Sequence, residues 1–321
     1  MNYSELNDII KSSKNILIFS HINPDGDTLG SMCGLYAVIL ANYKKKCDMA
    51  AISKIPDVYS FLPHIHEVRH IDDIDKSREY DLVINVDVAS IERICDGQIL
   101  FNKAKSTVNI DHHKTNSAYG DLNFINPDAS STGEVLCECF ENMGLNVNMD
   151  AAICLYTAIL TDTGSFRFDN TKPATFECAS KLVEKGVNPS DIYKKVYESD
   201  SKTLVMFQAY CISKAKFLDN DKIAYTIVYK KDMEKFSAND ECMEGLTEKL
   251  RAIVSTRIAF VAKEMKSGAT KISMRSKFAD VAQICEAFGG GGHKFASGCT
   301  IKAPVDEAVK KILAEIKTRE I

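Results

Sequence analysis

The sequence predicts an α/β protein with two domains, of which the N-terminal one contains a mainly parallel sheet flanked by helices. The length of 321 residues suits two domains of about 150 residues each. The first half alternates short β-branched runs with amphipathic stretches, a pattern typical of α/β folds. After about residue 215 the pattern changes to half-buried strands. We therefore predict an N-terminal domain at 1–186, a helical linker at 187–215 and a smaller C-terminal α/β domain at 216–321.

The N-terminal domain contains three predicted strands, each short, apolar and rich in β-branched residues. They lie at residues 15–19 (NILIF), 81–86 (DLVINV) and 106–110 (STVNI). Amphipathic stretches after them predict helices, the last of which is stopped by Gly186. These helices span residues 30–43, 132–142, 151–160 and 175–185. Strands that alternate with helices in this way form parallel sheets.

The C-terminal domain shows a different pattern. The stretches 222–229 (KIAYTIVY), 258–262 and 270–275 alternate like half-buried strands. Residues 242–253 predict a helix between them, and a last helix begins near Val305. Together these elements predict a separate α/β unit.

Composition excludes several functional classes. Lys and Arg number 40 against 44 Asp and Glu, and the resulting net charge of −4 argues against the basic face that duplex DNA requires. No apolar run approaches the roughly 20 residues of a membrane span, and the N-terminus lacks the apolar block of a signal peptide. Eleven Cys without a CxxC pair indicate free thiols in a reducing cytoplasm. We therefore expect a cytoplasmic protein whose partners include neither membranes nor duplex DNA.

Residues that bind metals or move protons follow each predicted strand. They are His21, Asp25 and Asp27 after the first strand, Asp87 after the second, Asp111, His112 and His113 after the third, and Asp162 after the helix at 151–160. Ligands of open parallel sheets bind in the crevice at the carboxyl ends of the strands. A single Asp at such a place is often only a turn or helix-capping residue. The whole set together predicts one polar crevice.

Carboxylate and imidazole side chains together suit Mn²⁺, Zn²⁺ or Fe²⁺. Six candidate ligands are too many for one ion with an open position, but they suit two ions that share a carboxylate. These candidates are His21, Asp25, Asp27, Asp87, His112 and Asp162. Without metal, four clustered carboxylates repel one another and bind protons. Two divalent ions about 3.5–4 Å apart are a standard device for phosphoester hydrolysis.

The C-terminal domain contains a second candidate site around four consecutive glycines, Gly289, Gly290, Gly291 and Gly292. Followed by a helical stretch, they would form an anion-binding nest, to which His293 would add a donor; the alternative is a flexible hinge. Arg275 ends a predicted strand and suits bidentate phosphate binding, although a solvated strand-end charge is nearly as good an explanation. Arg167, beside Asp162, either reaches a phosphate or pairs with an acid.

These motifs resemble those of the DHH phosphoesterase family. Residues 111–113 match the triplet that gives the family its name, and residues 21–31 (HINPDGDTLGS) resemble its first motif. Asp87 and residues 161–164 resemble its second and fourth motifs. The segment 289–298 (GGGGHKFASG) resembles the motif of the DHH-associated C-terminal domain, in which typical members have Ala-Ala-Gly instead of the final Ala-Ser-Gly.

The resemblance implies a role for each matching residue. The implied ligands are His21, Asp25, Asp87 and Asp162 for one Mn²⁺ and Asp27, Asp87, His112 and Asp162 for the other. Asp111 would position a neighbouring ligand, and His113 would face the scissile phosphate. The residues implied to grip the far end of the substrate are Arg275, Gly290, Gly291, Gly292 and His293. The substrate would lie in the cleft between the domains.

The short two-domain form is similar to the subgroup of nano-RNases and pAp phosphatases. It implies a homodimeric enzyme that uses Mn²⁺ to hydrolyse short oligoribonucleotides, of two to five nucleotides, to mononucleotides and to convert pAp to AMP. Cleavage of cyclic di-adenylate or of pApA is the alternative within the same chemistry. A nucleotide sensor without catalysis is a third hypothesis, against which the complete set of candidate ligands argues. A pyrophosphatase is disfavoured by the glycine-rich C-terminal domain.

Overall fold

A computed structural model describes residues 2–319 and confirms the predicted α/β class. The chain divides into two compact units between Ser199 and Asp200. The segment 187–215, which the sequence predicts as a linker, contains one helix of each unit. No helix within residues 2–319 combines the length and the apolar character that crossing a membrane requires.

The described part of the N-terminal unit contains a parallel six-stranded sheet. Its strands are β1 (Ile16–Phe19), β2 (Asp48–Ala51), β3 (Val68–His70), β4 (Leu82–Val86), β5 (Ser106–Asp111) and β6 (Leu122–Ile125). Their order is β3-β2-β1-β4-β5-β6. The strands β1 to β3 follow one another towards one edge of the sheet, and the strands β4 to β6 follow one another towards the other edge. Such a switch point opens a crevice at the carboxyl ends of the two central strands.

Helices and loops cover both faces of this sheet. The helices are α1 (Tyr3–Ser12), α2 (Gly26–Tyr43), α3 (Gln98–Lys103), α4 (Thr132–Asn142), α5 (Met149–Asp162), α6 (Pro173–Glu184) and α7 (Pro189–Tyr197). Alternate residues of β1 explain the two layers: Ile16 and Ile18 join one apolar cluster, whereas Leu17 and Phe19 join the other. Because the strand is buried on both faces, all of its residues are apolar, which explains the continuous apolar run in the sequence.

Close packing of α2 against α5 brings the start of one helix to the end of the other. A side chain at Gly26 would place its Cβ 2.5 Å from the side chain of Thr161, and one at Gly30 would lie 2.5 Å from the carbonyl oxygen of Cys154. Both positions therefore require glycine. Because Gly26 lies between Asp25 and Asp27, this contact carries their carboxylates towards Asp162.

Most predicted elements of the N-terminal unit are present, with two kinds of difference. The predicted helix 30–43 begins four residues earlier, because Asp25 caps it by accepting hydrogen bonds from the backbone amides of Asp27 and Thr28. The short strands β2, β3 and β6 and helix α1 were not predicted. Three or four residues give too short a pattern for a strand to be recognised by periodicity.

The C-terminal unit also contains a six-stranded sheet within the described residues, and here most neighbours are antiparallel. Its strands are β7 (Lys216–Leu218), β8 (Ile223–Val228), β9 (Ile258–Glu264), β10 (Thr270–Ser276), β11 (Gly291–His293) and β12 (Ala296–Ile301), in the order β11-β12-β10-β9-β8-β7. Its helices are α8 (Lys202–Ser213), α9 (Lys230–Phe236), α10 (Leu246–Arg251), α11 (Val281–Glu286) and α12 (Val305–Lys317). Only β8 and β9 run parallel among these pairs of the described chain.

Two predictions for this unit were wrong. The helix predicted over 242–253 is interrupted at Gly245, whose φ of 73° lies in the left-handed region, and α10 begins only after it. The helical stretch expected after the four glycines is absent from the described chain at that place: α11 precedes them, and the glycines lead into the hairpin of β11 and β12. All eleven cysteines are free, as expected.

Candidate metal centre

The switch point of the N-terminal sheet brings the predicted ligands together. His21 lies two residues beyond β1, Asp87 directly follows β4, and Asp111 ends β5. These three strands are neighbours in the sheet, so their carboxyl ends meet at one edge. The first turn of α2 supplies Asp27 to the same place.

Asp87 lies at the centre of the cluster. Its carboxylate oxygens are 3.3 Å from Nε2 of His21 and 3.7 Å from Nε2 of His112. Its backbone has a φ of 61°, a left-handed conformation that is uncommon for a residue with a side chain. Strained backbone of this kind persists only where the surrounding structure holds it, and it concentrates at functional sites. The amide of Asp87 is held by the carbonyl oxygen of Ile110, at 2.9 Å.

Asp27 is fully buried and held by the start of α4. The backbone amides of Thr132 and Gly133 donate to its two carboxylate oxygens at 2.8 and 3.0 Å, and Ser31 donates through its hydroxyl at 3.2 Å. The amino end of a helix stabilises negative charge, so this carboxylate is oriented before any ligand arrives.

Three groups of possible ligand atoms result, and the atoms of each group lie within 4.8 Å of one another. One group contains His21, Asp25 and Asp87, and a second contains Asp27, His112 and Asp162. The third group shares Asp87 with the first and His112 with the second, and it adds Asp111 and His113. Nε2 of His112 lies 3.6 Å from both Asp27 and Asp162 and 3.7 Å from Asp87. All six predicted ligands thus lie together, and their oxygen and nitrogen donors fit divalent cations such as Mn²⁺.

The electrostatics of the cluster favour a cation. Burial raises the pKa of Asp27 well above its ordinary value, and the charges of Asp87 and Asp162 raise it further. Burial likewise raises the pKa of Asp162 to about 6, with Asp87 adding to the shift and His112 opposing it. Burial and neighbouring negative charges disfavour the ionised form of these carboxylates. Bound divalent cations would supply the positive charge that stabilises it.

Both carboxylate oxygens of Asp111 accept hydrogen bonds from other residues of the protein. One oxygen accepts hydrogen bonds from Nδ1 of His113 and from the amide of His112, both at 2.8 Å, and the other accepts from Asn116 at 2.5 Å. Although burial alone would raise the pKa of Asp111, the bonds from His113 and Asn116 lower it. This carboxylate therefore lies near the metal ligands, but its hydrogen bonds suit a positioning residue.

Replacing Asp111 by Asn is expected to reduce activity or metal affinity by about 10- to 100-fold, as substitutions of residues that orient metal ligands do. The variant keeps the shape but loses the charge that orients His113. Metal affinity and kcat measured together check this, with Asp128→Asn as the control because Asp128 is 90% exposed. A complete loss of bound metal would instead make Asp111 a ligand.

The loop after α5 closes one side of the cluster. Nδ2 of Asn170 donates to the backbone oxygen of Asp162 at 3.1 Å, to its carboxylate at 3.3 Å and to the backbone oxygen of Ser130 at 2.9 Å. Arg167 is exposed, and its Nε donates to the carbonyl oxygen of Gly164 at 2.6 Å. Within residues 2–319 its guanidinium pairs with no carboxylate, so the alternative of an ion pair with an acid is not realised.

The candidate substrate residues of the C-terminal unit lie on neighbouring strands. Arg275 of β10 is directly opposite Ala296 of β12, and Ala296 is opposite His293 of β11. Opposite residues of antiparallel strands share a face, so Arg275 and His293 flank Ala296 on one face of the sheet. The guanidinium of Arg275 also contacts Glu248 through Nε at 2.7 Å.

The glycines are placed differently from the predicted nest. Gly291 and Gly292 belong to β11 and are exposed, and Gly292 has a φ of 145°. A Cβ at Gly290 would lie 2.4 Å from that of Cys299, so the chain needs glycine there for close packing against β12. The segment is a hairpin edge, which the sequence pattern of four glycines could not distinguish from a nest or a hinge.

The residues that form hydrogen bonds with the predicted ligands were not predicted from the sequence. Thr132 donates to Asp87 through its hydroxyl at 3.1 Å, and Asn116 and Asn170 hold Asp111 and Asp162. The Ser131-Thr132-Gly133 run before a predicted helix was a usable signal, since Ser is a common helix cap whose neighbours expose free amides. Nothing in the spacing of Asn116 or Asn170 pointed to their partners.

Comparison with known proteins agrees with this geometry. The DHH family, N-terminal domain, matches residues 15–159, and the DHHA1 domain matches residues 220–319. The chain is 31% identical over 307 residues to the bifunctional oligoribonuclease and PAP phosphatase NrnA of Bacillus subtilis (strain 168), with 94% of each chain covered. It is 27% identical to the protein of the same name from Thermus thermophilus, covering 94% of this chain and 89% of that one.

A third relative is the cyclic-di-AMP phosphodiesterase GdpP of Geobacillus thermodenitrificans, which is 26% identical over 90% of this chain but only 45% of its own length. The crystal structure of an exopolyphosphatase-related protein from Bacteroides fragilis matches 99% of this chain and 96% of its own, with a TM-score of 0.91 at 25% identity. The resemblance seen in the motifs is thereby confirmed: the chain belongs to the DHH family, and a DHHA1 domain follows its DHH domain.

Proposed function

We propose that the protein is a phosphoesterase that uses two divalent cations, Mn²⁺ by preference, to hydrolyse short oligoribonucleotides to mononucleotides and pAp to AMP. The observation that carries this proposal is the cluster of ligand groups at the switch point, in which Asp87 belongs to two groups and lies 3.3 Å from His21 and 3.7 Å from His112. The names of the relatives from Bacillus subtilis and Thermus thermophilus support the choice of substrates.

The roles of the residues follow from their contacts. His21, Asp25, Asp27, Asp87, His112 and Asp162 would hold the cations. When bound, two such cations supply polarisation of the phosphate and of an attacking water. Since Nδ1 of His113 is engaged with Asp111, Nε2 is its free nitrogen. The hydrogen bond with Asp111 raises the pKa of His113 to about 9 in the metal-free site. Nε2 of His113 would face the scissile phosphate, where it would orient the phosphate or protonate the leaving ribose oxygen.

Arg275, His293 and the glycines of β11 would bind the end of the substrate away from the cations. A hydrogen bond to a charged phosphate contributes about 1.5–3 kcal/mol, which is roughly a 10- to 150-fold change in affinity. The net charge of −4 argues against a basic track for a long strand, so activity should fall steeply beyond a few nucleotides. The family resemblance also leads us to propose a homodimer, which light scattering on the purified protein tests. The eleven cysteines without a CxxC pair lead us to propose a cytoplasmic location.

Arg275→Ala is expected to raise KM for di- and trinucleotides by roughly 10- to 150-fold while changing kcat less. The reason is that Arg275 would bind the phosphate equally in the substrate and in the transition state. Lys271→Ala is the matched control, since Lys271 is an exposed cation of the same strand. Steady-state kinetics on pApA check this. If Arg275→Ala is kinetically silent and 20-mers are cleaved as fast as dinucleotides, the short-substrate proposal is wrong.

A panel of substrates tests the function itself. It contains pApA, ribonucleotides of two to five residues, pAp, cyclic di-adenylate and pyrophosphate, each with Mn²⁺ and with chelator. We expect metal-dependent release of mononucleotides from the short RNAs and of phosphate from pAp. Release from pyrophosphate alone, or binding of the nucleotides without hydrolysis, would contradict the proposal.

Cyclic di-adenylate is a second candidate substrate. The observation in its favour is the match to the cyclic-di-AMP phosphodiesterase of Geobacillus thermodenitrificans. The same cluster of ligands would serve both reactions, since both break a phosphodiester at ribose. Faster turnover of the cyclic dinucleotide than of pApA in the panel would make it the principal substrate.

A further inference from the structure

The loop between α5 and α6, which follows the predicted metal ligand Asp162, carries an exposed aromatic ring. Phe168 is 55% exposed and lies six residues after Asp162. A scattered exposed apolar side chain is ordinary and needs no explanation. Phe168 differs because its backbone is held by hydrogen bonds, because one face of its ring is covered and because its loop begins directly after a predicted ligand.

The backbone around Phe168 is tightly held. The carbonyl oxygen of Thr163 accepts hydrogen bonds from the amides of Arg167 and Phe168, at 2.9 and 3.1 Å, and the amide of Thr171 donates to Phe168 at 3.0 Å. Ser165 and Phe166 both have a φ near +60°, a conformation that residues with side chains rarely adopt in succession. This strained turn folds the loop back on itself, and its persistence indicates that the surrounding contacts impose it.

Gly164 explains how the ring is oriented. A Cβ built at Gly164 would lie 2.4, 2.5 and 2.7 Å from Cζ, Cε2 and Cε1 of Phe168. Nearly equal distances to three ring carbons place Gly164 against the face of the ring rather than beyond its edge. One face therefore covers the glycine, and only glycine leaves room for it. Within residues 2–319 no other aromatic ring pairs with Phe168, and the residue is 55% exposed although this face is covered, so its exposed surface includes the opposite face.

The same glycine anchors the neighbouring cation. Nε of Arg167 donates to the carbonyl oxygen of Gly164 at 2.6 Å, and in the described chain the two Nη nitrogens make no hydrogen bond. Gly164 follows Asp162 by two residues, so their Cα atoms are at most about 7.6 Å apart. An aromatic ring and a guanidinium are thus both held against a residue that lies two positions after the predicted metal ligand.

We propose that Phe168 is a specificity-determining residue, the platform on which a base of the substrate stacks while its phosphate lies at the candidate metal centre. This inference rests on the proposed function and adds a requirement for a planar base beside the reacting phosphate. Every base has a flat π-face, so the platform selects nucleotides over base-free phosphodiesters without selecting a sequence.

The test compares wild type, Phe168→Ala, Phe168→Leu and Phe168→Tyr on pApA and on analogues in which either adenine is replaced by hydrogen. Loss of the ring is expected to raise KM for pApA by about 5- to 150-fold in the Ala and Leu variants, whereas Tyr stays near wild type. One of the two base-free analogues lacks the base that stacks on Phe168. The KM of the wild type for that analogue should exceed its KM for pApA by the same factor, and Phe168→Ala should not raise it further. Phe176→Ala is the control, because Phe176 is 56% exposed in the same unit and stacks on Phe166 instead.

Two results would overturn the platform: an unchanged KM for pApA in Phe168→Ala, or an equal rise on pApA and on both base-free analogues. A binding measurement separates this inference from the proposed function. Dinucleotides that carry 2-aminopurine should lose fluorescence on binding to wild type but not to Phe168→Ala. Absence of hydrolysis by the wild type with this quenching intact would contradict the proposed function alone, whereas quenching that is absent, or equal in both proteins, contradicts the platform.

Discussion

Replacing Asp87 by Asn is expected to abolish hydrolysis while leaving the protein folded. The carboxylate of Asp87 lies within 4 Å of both His21 and His112, one from each proposed ligand set, so its loss should weaken both cation sites at once. Loss of about 4 kcal/mol of charge stabilisation in the transition state corresponds to roughly a 10³-fold fall in kcat. This effect exceeds the changes of up to about 150-fold expected for Arg275→Ala and Phe168→Ala.

Asn is the informative replacement for three physical reasons. It can keep the hydrogen bond that the Asp87 carboxylate accepts from Thr132, it tolerates the left-handed φ of 61°, and it removes one negative charge from a crowded cluster. Metal content and kcat should fall together, whereas circular dichroism and the metal-free Tm should not fall. Asp128→Asn serves again as the control. A variant that keeps half its activity and its metal would show that the two-metal assignment is wrong.

Removal of metal is expected to destabilise the N-terminal unit increasingly as the pH rises. The pKa values of Asp27 and Asp162 are raised in the folded protein, which means that the folded state binds these protons more tightly than the unfolded chain does. Stability from such groups is fully present below the unfolded pKa, near 3.8, and is lost as the pH rises through the folded value. For Asp162 this interval extends to about 6, and the raised pKa of Asp27 causes a loss in the same direction.

Bound cations should reverse this loss. Each site stabilises the folded protein by about 2.7 kcal/mol when free metal is 100 times its Kd. The difference in Tm between loaded and chelated protein should therefore grow between about pH 5 and pH 8, because protons compete with metal at the lower value. Thermal unfolding across this range checks the prediction. A difference that is constant with pH would mean that these carboxylates do not bind the metal.

The sequence was most informative where local pattern and burial agree. The buried strands β1, β4 and β5 lie within one residue of their predicted bounds, and helix α4 has the bounds that were predicted. The clustering of the candidates that follow β1, β4 and β5 was predictable from a rule of parallel sheets, because side chains after neighbouring strands meet at one edge. Asp162 ends helix α5 instead, and the packing of α2 against α5 brings it to the same place.

Sequence was least informative where structure depends on distant contacts. The glycine segment became a hairpin because β12 offers an edge to pair with, and the small residues Ser297 and Gly298 gave no clear strand signal. The face-on contact of Phe168 with Gly164 depends on a turn of two left-handed residues, which no propensity predicts. Short edge strands such as β3 owe their state to the neighbouring strand rather than to their own sequence.

The most direct test of the two-metal phosphoesterase is a titration of chelator-stripped protein with Mn²⁺, in which bound metal and the conversion of pApA to AMP are measured on the same samples. We predict no conversion without metal, full activity only as two ions bind per chain, and loss of both signals in Asp87→Asn. Conversion of pApA at the full rate in excess chelator, or full activity with no bound metal, would contradict this prediction.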